Sequence, residues 1–144
     1  MPLENFTVVL DLPVLWGDQD LLGHVNNTIH FKWFESARVR YWEDSGMRAV
    51  MEPRNWGPIL ASTSCDYLKQ INYPDQIQTA VRVVELRRTS MIMQHQIYST
   101  NNDAVAAQGT SAIVLFDYTE QTPQQIEGEL RSMIAQFEGR SFDH

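Results

Sequence analysis

The sequence predicts an α+β protein in which one long helix packs against an antiparallel sheet. Two observations carry this. The apolar pattern runs strand, helix, four strands and a closing helix, without the regular strand–helix alternation of a parallel sheet. The long helical pattern also presents a wide aromatic face, which suits a helix laid deep on a sheet.

Phe6 to Leu15 predicts the first strand, β-branched and apolar with Pro13 near its end. Trp16 to Val25 carries Gly17, Gly23 and several polar residues, so it predicts a loop. A helix starts near Asn26 or Asn27, since asparagine is a strong N-cap. Ile29, Trp33, Ala37 and Tyr41 fall at i, i+4 spacing, with Phe34 and Trp42 on the adjoining row. Gly46 stands where a helix-ending glycine belongs, after about five turns.

Pro53 to Pro58 predicts an irregular connection. Strand patterns then run over Ile59–Leu68, Ile77–Leu86, Ser90–Ser99 and Ala104–Phe116, with turn residues between them. Gly109 predicts a bulge in the last of these. Thr122, Pro123 and Gln125 predict the start of a closing helix, with Ile126, Leu130, Ile134 and Phe137 as its stripe.

With 144 residues and no repeat or linker, one domain over 1–144 is expected, the last residues from about 139 forming a flexible tail. A hydrophobic share of 43%, with four tryptophans, excludes disorder for the bulk of the chain. No window resembles a membrane span. Met1–Asn5 lacks the basic start of a secretory signal, and Cys65 stands alone, so a cytoplasmic setting is expected. The net charge of −7 argues against a nucleic-acid partner.

The segment from Trp16 to Asn27 holds most of the chemistry. It places Asp18 and Asp20 just before a helix start, where unpaired N–H groups and the positive end of the helix dipole can stabilise an oxyanion. A carboxylate beside such donors can act as nucleophile or general base, which is sufficient equipment for hydrolysing an activated ester. Asp18, Asp20, His24 and His30 match no metal-ligand spacing, so no metal is expected. Cys65 lies inside a strand pattern, where a thiol is usually a small buried hydrophobe. There is no G-x-S-x-G elbow, P-loop or G-x-G-x-x-G. Arg82, Arg87 and Arg88 form the tightest basic cluster and could meet phosphate.

The string D-Q-D-L-L-G-H-V-N-N-T-I-H-F-K-W-F-E-S-A-R (Asp18–Arg38) resembles the hot-dog-fold acyl-CoA thioesterases, most closely the hydroxybenzoyl-CoA thioesterase-like group. Their pattern runs D-x-D-x-x-G-H-V-N-N-x-x-Y-x-x-Y-F-E-x-A-R, and this chain departs from it at His30 and Trp33, where tyrosines are usual. Gly57–Leu60, Asp66–Lys69 and Arg88–Met91 also look like the family, so the similarity spans roughly Phe6 to Tyr118.

The resemblance implies a sheet wrapped around the central helix, assembled as homodimers or as a homotetramer of two dimers with pockets between subunits. It implies hydrolysis of an acyl-CoA, with coenzyme A as part of the substrate and no cofactor. It places the catalytic carboxylate at Asp20, as nucleophile or general base, and the carbonyl-polarising backbone N–H at Asn27. His24 would shape the pocket or orient Asp20, Asp18 would hold the loop, and Gly23, Val25 and Asn26 would line the substrate. Lys69, Arg88, Thr89 and Ser90 are the candidates for coenzyme A, and Trp33, Trp56 and Met91 for the border of the acyl site.

Two rivals stand beside this. A hot-dog enoyl-thioester hydratase would carry Asp and His five apart with Asn-Pro between; here Asp20 and His24 are four apart without it. A non-catalytic acyl-CoA-binding protein would have no need of Asp20.

Overall fold

The computed structural model describes residues 3–142. In chain order its elements are β1 (Val8–Pro13), α1 (Asn27–Asp44), α2 (Met47–Met51), β2 (Trp56–Tyr67), β3 (Gln76–Leu86), β4 (Ser90–Ser99), β5 (Ala104–Asp117), β6 (Thr122–Pro123) and α3 (Gly128–Glu138). Short 3₁₀ turns at Trp16–Asp18 and Glu52–Arg54 precede α1 and β2. The sheet is antiparallel throughout, in the order β1-β3-β4-β5-β2, with β6 paired to β5. It curls around α1, and this is the hot-dog fold.

The start of α1 is fixed by Asn26, which is extended (φ −60°, ψ 138°) and accepts the Thr28 N–H on Oδ1 at 2.9 Å. Gly46, at φ +86°, follows its end. The buried stripe of α1 is His30, Trp33, Phe34, Ala37, Arg38, Tyr41 and Trp42, the spacing of a helix facing a core. On β4 the alternate residues Met91, Met93, His95, Ile97 and Ser99 are buried, and Phe34 stacks on His95 with ring centres 4.3 Å apart.

The core divides along the helix. Trp33 and Phe34 pack with Val14, Val25, Ile71, Ile77 and Ile97 near its start. Tyr41 and Trp42 pack with Met47, Val81, Met93, Leu130 and Ile134 near its end. A side chain buried as fully as Phe34 is worth about 3–5 kcal/mol against alanine.

Four expectations change. The closing helix begins at Gly128, not at Thr122. Thr122 and Pro123 instead pair with Asp117 and Phe116 at the sheet edge, and the chain stays extended through Ile126, whose N–H bonds the Arg88 carbonyl at 2.7 Å. Ile126 is therefore core, but not part of a helical stripe. Gly109 is in register with both Cys65 and His95, and the sheet's irregularities fall at Leu60/Ser62, Val83/Glu85 and Ile97/Tyr98. Its role is close approach, since a Cβ there would lie 2.0 Å from the Ser64 carbonyl oxygen and 2.9 Å from the Phe34 ring. β2 begins at Trp56 and not at Ile59, because Trp56 and Gly57 already pair with Asp117 and Phe116. The expected tail is anchored, because Phe142 is 6% exposed in the core; residues 143–144 lie outside the described residues.

Candidate active site

The loop between β1 and α1 is held by its own backbone. Asp18 Oδ2 accepts the Leu15 N–H at 2.8 Å, and the Asp18 carbonyl accepts the Asn26 N–H at 2.9 Å. Asp20 closes the next turn, its N–H donating to the His24 carbonyl at 2.8 Å and its carbonyl accepting from Gly23 at 3.1 Å. That turn needs the left-handed conformation of Gly23, at φ +78°. Val25 then donates to the Ile71 carbonyl at 2.8 Å, and Asn72 Nδ2 donates to the Gly23 carbonyl at 2.9 Å, so the segment before β3 clamps the loop.

The carboxylate of Asp20 is half occupied. Oδ1 accepts from the Leu22 N–H at 2.9 Å and the His24 N–H at 3.3 Å. Oδ2 has no partner among the described residues. The N–H of Asn27, the first residue of α1, has no intrahelical acceptor and none elsewhere among the described residues.

Both residues line a cleft of about 330 Å³ with His24, Val25, His30, Tyr67, Lys69 and Ile71 among its walls. A larger hollow, about 830 Å³, lies among Trp16, Gly17, Leu21, Leu22 and Asn26 beside the same loop. Asp20 borders both, but Asn27 and His30 face only the smaller one, so the smaller cleft holds the complementary groups.

His30 is enclosed at 4% exposure, with Trp33 at 5.3 Å and the edge of Tyr67 at 4.8 Å between ring centres. Burial lowers its pKa from the ordinary histidine value, against a weaker opposing pull from the backbone of Asn26 and Asn27. The ring is therefore neutral at neutral pH. Tyr67 donates its O–H to the Asn27 carbonyl at 2.8 Å, pinning the first helical turn from across the cleft.

The sequence brings Asp20, His24, Val25, Asn27 and Lys69 to this cleft, with Gly23 and Asn26 in the loop beside it. It does not bring Arg88, Thr89 and Ser90 there. They lie in the β3–β4 turn and at the first residue of β4, about 30 Å away along the eleven residues of β3. Within the basic cluster the structure separates the arginines. Arg82 bonds Gln94 and the Asn5 carbonyl, and Arg87 bonds Glu85, while the Arg88 side chain has no partner among the described residues.

Trp33 packs behind His30, but Trp56 and Met91 belong to the other core region, around Tyr41, so they do not border this cleft within the chain. The thiol of Cys65, half-buried on β2, is pushed up to about 11 by burial, as suits an inert side chain. No group of three or more metal-ligating side chains converges among the described residues.

Sequence reasoning missed Tyr67 and gave His30 no role beyond its departure from the family pattern. The available signal for His30 was its place on the same helical row as Trp33, Phe34 and Ala37.

A family model described as the thioesterase-like superfamily matches residues 14–134. The chain is similar in structure to a thioesterase from Thermus thermophilus solved with coenzyme A and zinc. Identity is 31%, coverage 95% of this chain and 98% of that one, and the TM-score 0.82. It is also similar to a putative thioesterase from Pseudomonas aeruginosa, with 27% identity, coverage of 90% and 99%, and a TM-score of 0.79. Among curated proteins it is 25% identical to the uncharacterized protein YsmA of Bacillus subtilis. That match spans 63% of this chain and 60% of the relative's length.

Proposed function

Because the chain belongs to the thioesterase-like superfamily, we propose that it hydrolyses an acyl-CoA thioester to a free carboxylic acid and coenzyme A. One observation carries the reading. The unpaired N–H of Asn27 and the half-occupied carboxylate of Asp20 line a single cleft at the positive end of α1. The thioester carbonyl is placed on the Asn27 N–H, and Asp20 supplies the nucleophile or the base. Lys69, on the same cleft and without an ion-pair partner among the described residues, is placed toward the coenzyme. The Thermus neighbour with bound coenzyme A supports this substrate class. No cofactor is needed beyond the coenzyme A of the substrate.

The working form is proposed to be a homodimer or a dimer of dimers. Leu15, Trp16, Leu21 and Leu22 stand 60–104% exposed beside Asp20, and β2 is an edge strand of the sheet. A second copy would cover them and could bring its own Arg88–Ser90 turn to the cleft. No helix among the described residues is long and apolar enough to cross a membrane, and a cytoplasmic setting is proposed.

Thiol release from a panel of aromatic, short-chain and long-chain acyl-CoAs tests the reading, and free coenzyme A with free acid is the expected result. Hydration of an enoyl-CoA without thiol release would assign the hydratase instead. Tight binding of every acyl-CoA without turnover would assign a binding protein.

A further inference from the structure

The proposed hydrolysis uses Asp20 and Asn27 but leaves one group on the cleft without a task. His30 is buried on every side but the cleft, and its Nδ1 is enclosed without a hydrogen-bond partner among the described residues. Nε2 makes no bond to the described residues either, but it is not shut off from the cleft. An enclosed, unsatisfied polar side chain is costly, and a protein retains one where a ligand or water completes it.

The surroundings decide which nitrogen is the acceptor. The ring lies over the first turn of α1, against the backbone of Asn26 and Asn27, as a helical side chain leans toward the N-terminus. Nδ1 is the enclosed nitrogen and Nε2 the one the cleft can reach, so with the proton of the neutral ring on Nδ1 a lone pair stands where a water can meet it. Nε2 then offers its lone pair to the cleft. Asp20 Oδ2 is the second unfilled acceptor there, and Asn27 N–H the unfilled donor. The cleft, at about 330 Å³, has room for a water beside the reacting carbonyl.

We propose that His30 is a positioning residue that holds the hydrolytic water jointly with Asp20. This rests on the thioesterase reading. Water has two protons and the site two acceptors. One O–H points to Asp20 Oδ2 and the other to His30 Nε2, which leaves an oxygen lone pair aimed at the carbonyl held by Asn27. As the water oxygen attacks, Asp20 takes its proton and the carbonyl oxygen becomes an oxyanion on the Asn27 N–H. The oxyanion collapses, the carbon–sulfur bond breaks, and the proton on Asp20 passes to the departing thiolate. The second water proton stays on the hydroxyl that becomes part of the acid product.

The test is alcohol partition. Methanol has one O–H and cannot satisfy both acceptors, so the wild type in aqueous methanol should form acid and almost no methyl ester. His30→Phe should lower kcat about 10- to 100-fold with KM little changed, and raise the ester-to-acid ratio. His30→Gln, which keeps an acceptor, should recover most of both. If the wild type itself accepts methanol in proportion to its concentration, the inference is overturned without any variant. It is overturned equally if thiol release and partition are indifferent to His30, or if solvent oxygen-18 enters the Asp20 carboxylate after one turnover. Absence of thiol release from every acyl-CoA would instead bring down the thioesterase reading, and this inference with it.

Discussion

Two carboxylates sit at opposite ends of α1 and are treated in opposite ways. Near the helix end, Glu138 is saturated. Oε2 accepts from the Tyr41 O–H at 2.7 Å and the Val83 N–H at 2.9 Å, and Oε1 accepts from the Thr7 hydroxyl. Burial, with Glu138 beside it, raises the pKa of Tyr41 and keeps its phenol protonated. Near the helix start, Asp20 has one oxygen tied to two backbone N–H groups, and among the described residues its other oxygen, the nearby Asn27 N–H and the His30 imidazole have no partner. The first end ties α1 to α3, β3 and the segment before β1. The second is left incomplete, which is what the proposed site requires.

The contrast breaks first at Asp20. Asp20→Asn should leave the thermal midpoint near that of the wild type and lower kcat about 10²–10⁴-fold, read by thiol release. Equal activity would show that the unfilled oxygen is not the reacting group. Next comes the N–H donor. Asn26 is already extended, as a residue before proline must be, so Asn27→Pro deletes one N–H with little harm to the helix. It should be slower than the control Asn27→Ala by about 10² in kcat. Equal rates in two folded variants would move the oxyanion donor elsewhere.

The saturated end should respond in stability alone. Glu138→Ala strands the Tyr41 and Val83 donors and should cost about 2–4 kcal/mol in urea unfolding, with turnover per folded molecule unchanged. An effect that vanishes at neutral pH sharpens the picture between the two ends. His95 is fully buried against Phe34, 2.8 Å from Ser111 Oγ, which also accepts from Arg38 at 3.0 Å. Burial, and secondarily Arg38, bring its pKa down to about 3. The unfolded chain therefore binds the proton that the folded chain refuses. Stability from this group is full above about pH 6.5 and falls toward pH 3, with a slope of at most about 1.4 kcal/mol per pH unit. In unfolding curves between pH 7 and 4, His95→Gln should show a shallower decline than the wild type.

Local signals carried much of this architecture. Asn26 as cap, the 33/34/37/41/42 stripe and Gly46 place α1 almost to the residue, because capping and amphipathic spacing act within a few positions. The closing helix was misplaced because Thr122-Pro123 suits a helix start and an edge strand equally well, and pairing with β5 decides between them. The site divides the same way. Asp20, Gly23 and Asn27 lie close together in the sequence, so their placement in one candidate site is legible from it. Tyr67 reaches the Asn27 carbonyl across forty residues, and the separation of Arg88 from Asp20 follows from the length of β3, so neither could be read from spacing.

Gly109 has a consequence for how such a protein can change over generations. With β2 and the Phe34 ring both closer than a methyl group allows, every other residue would force strand and helix apart. The walls of the cleft can drift as lineages take up new acyl groups, since loops tolerate exchange. That codon cannot. Descendants with different substrates should still share it for as long as this strand and helix stay packed together.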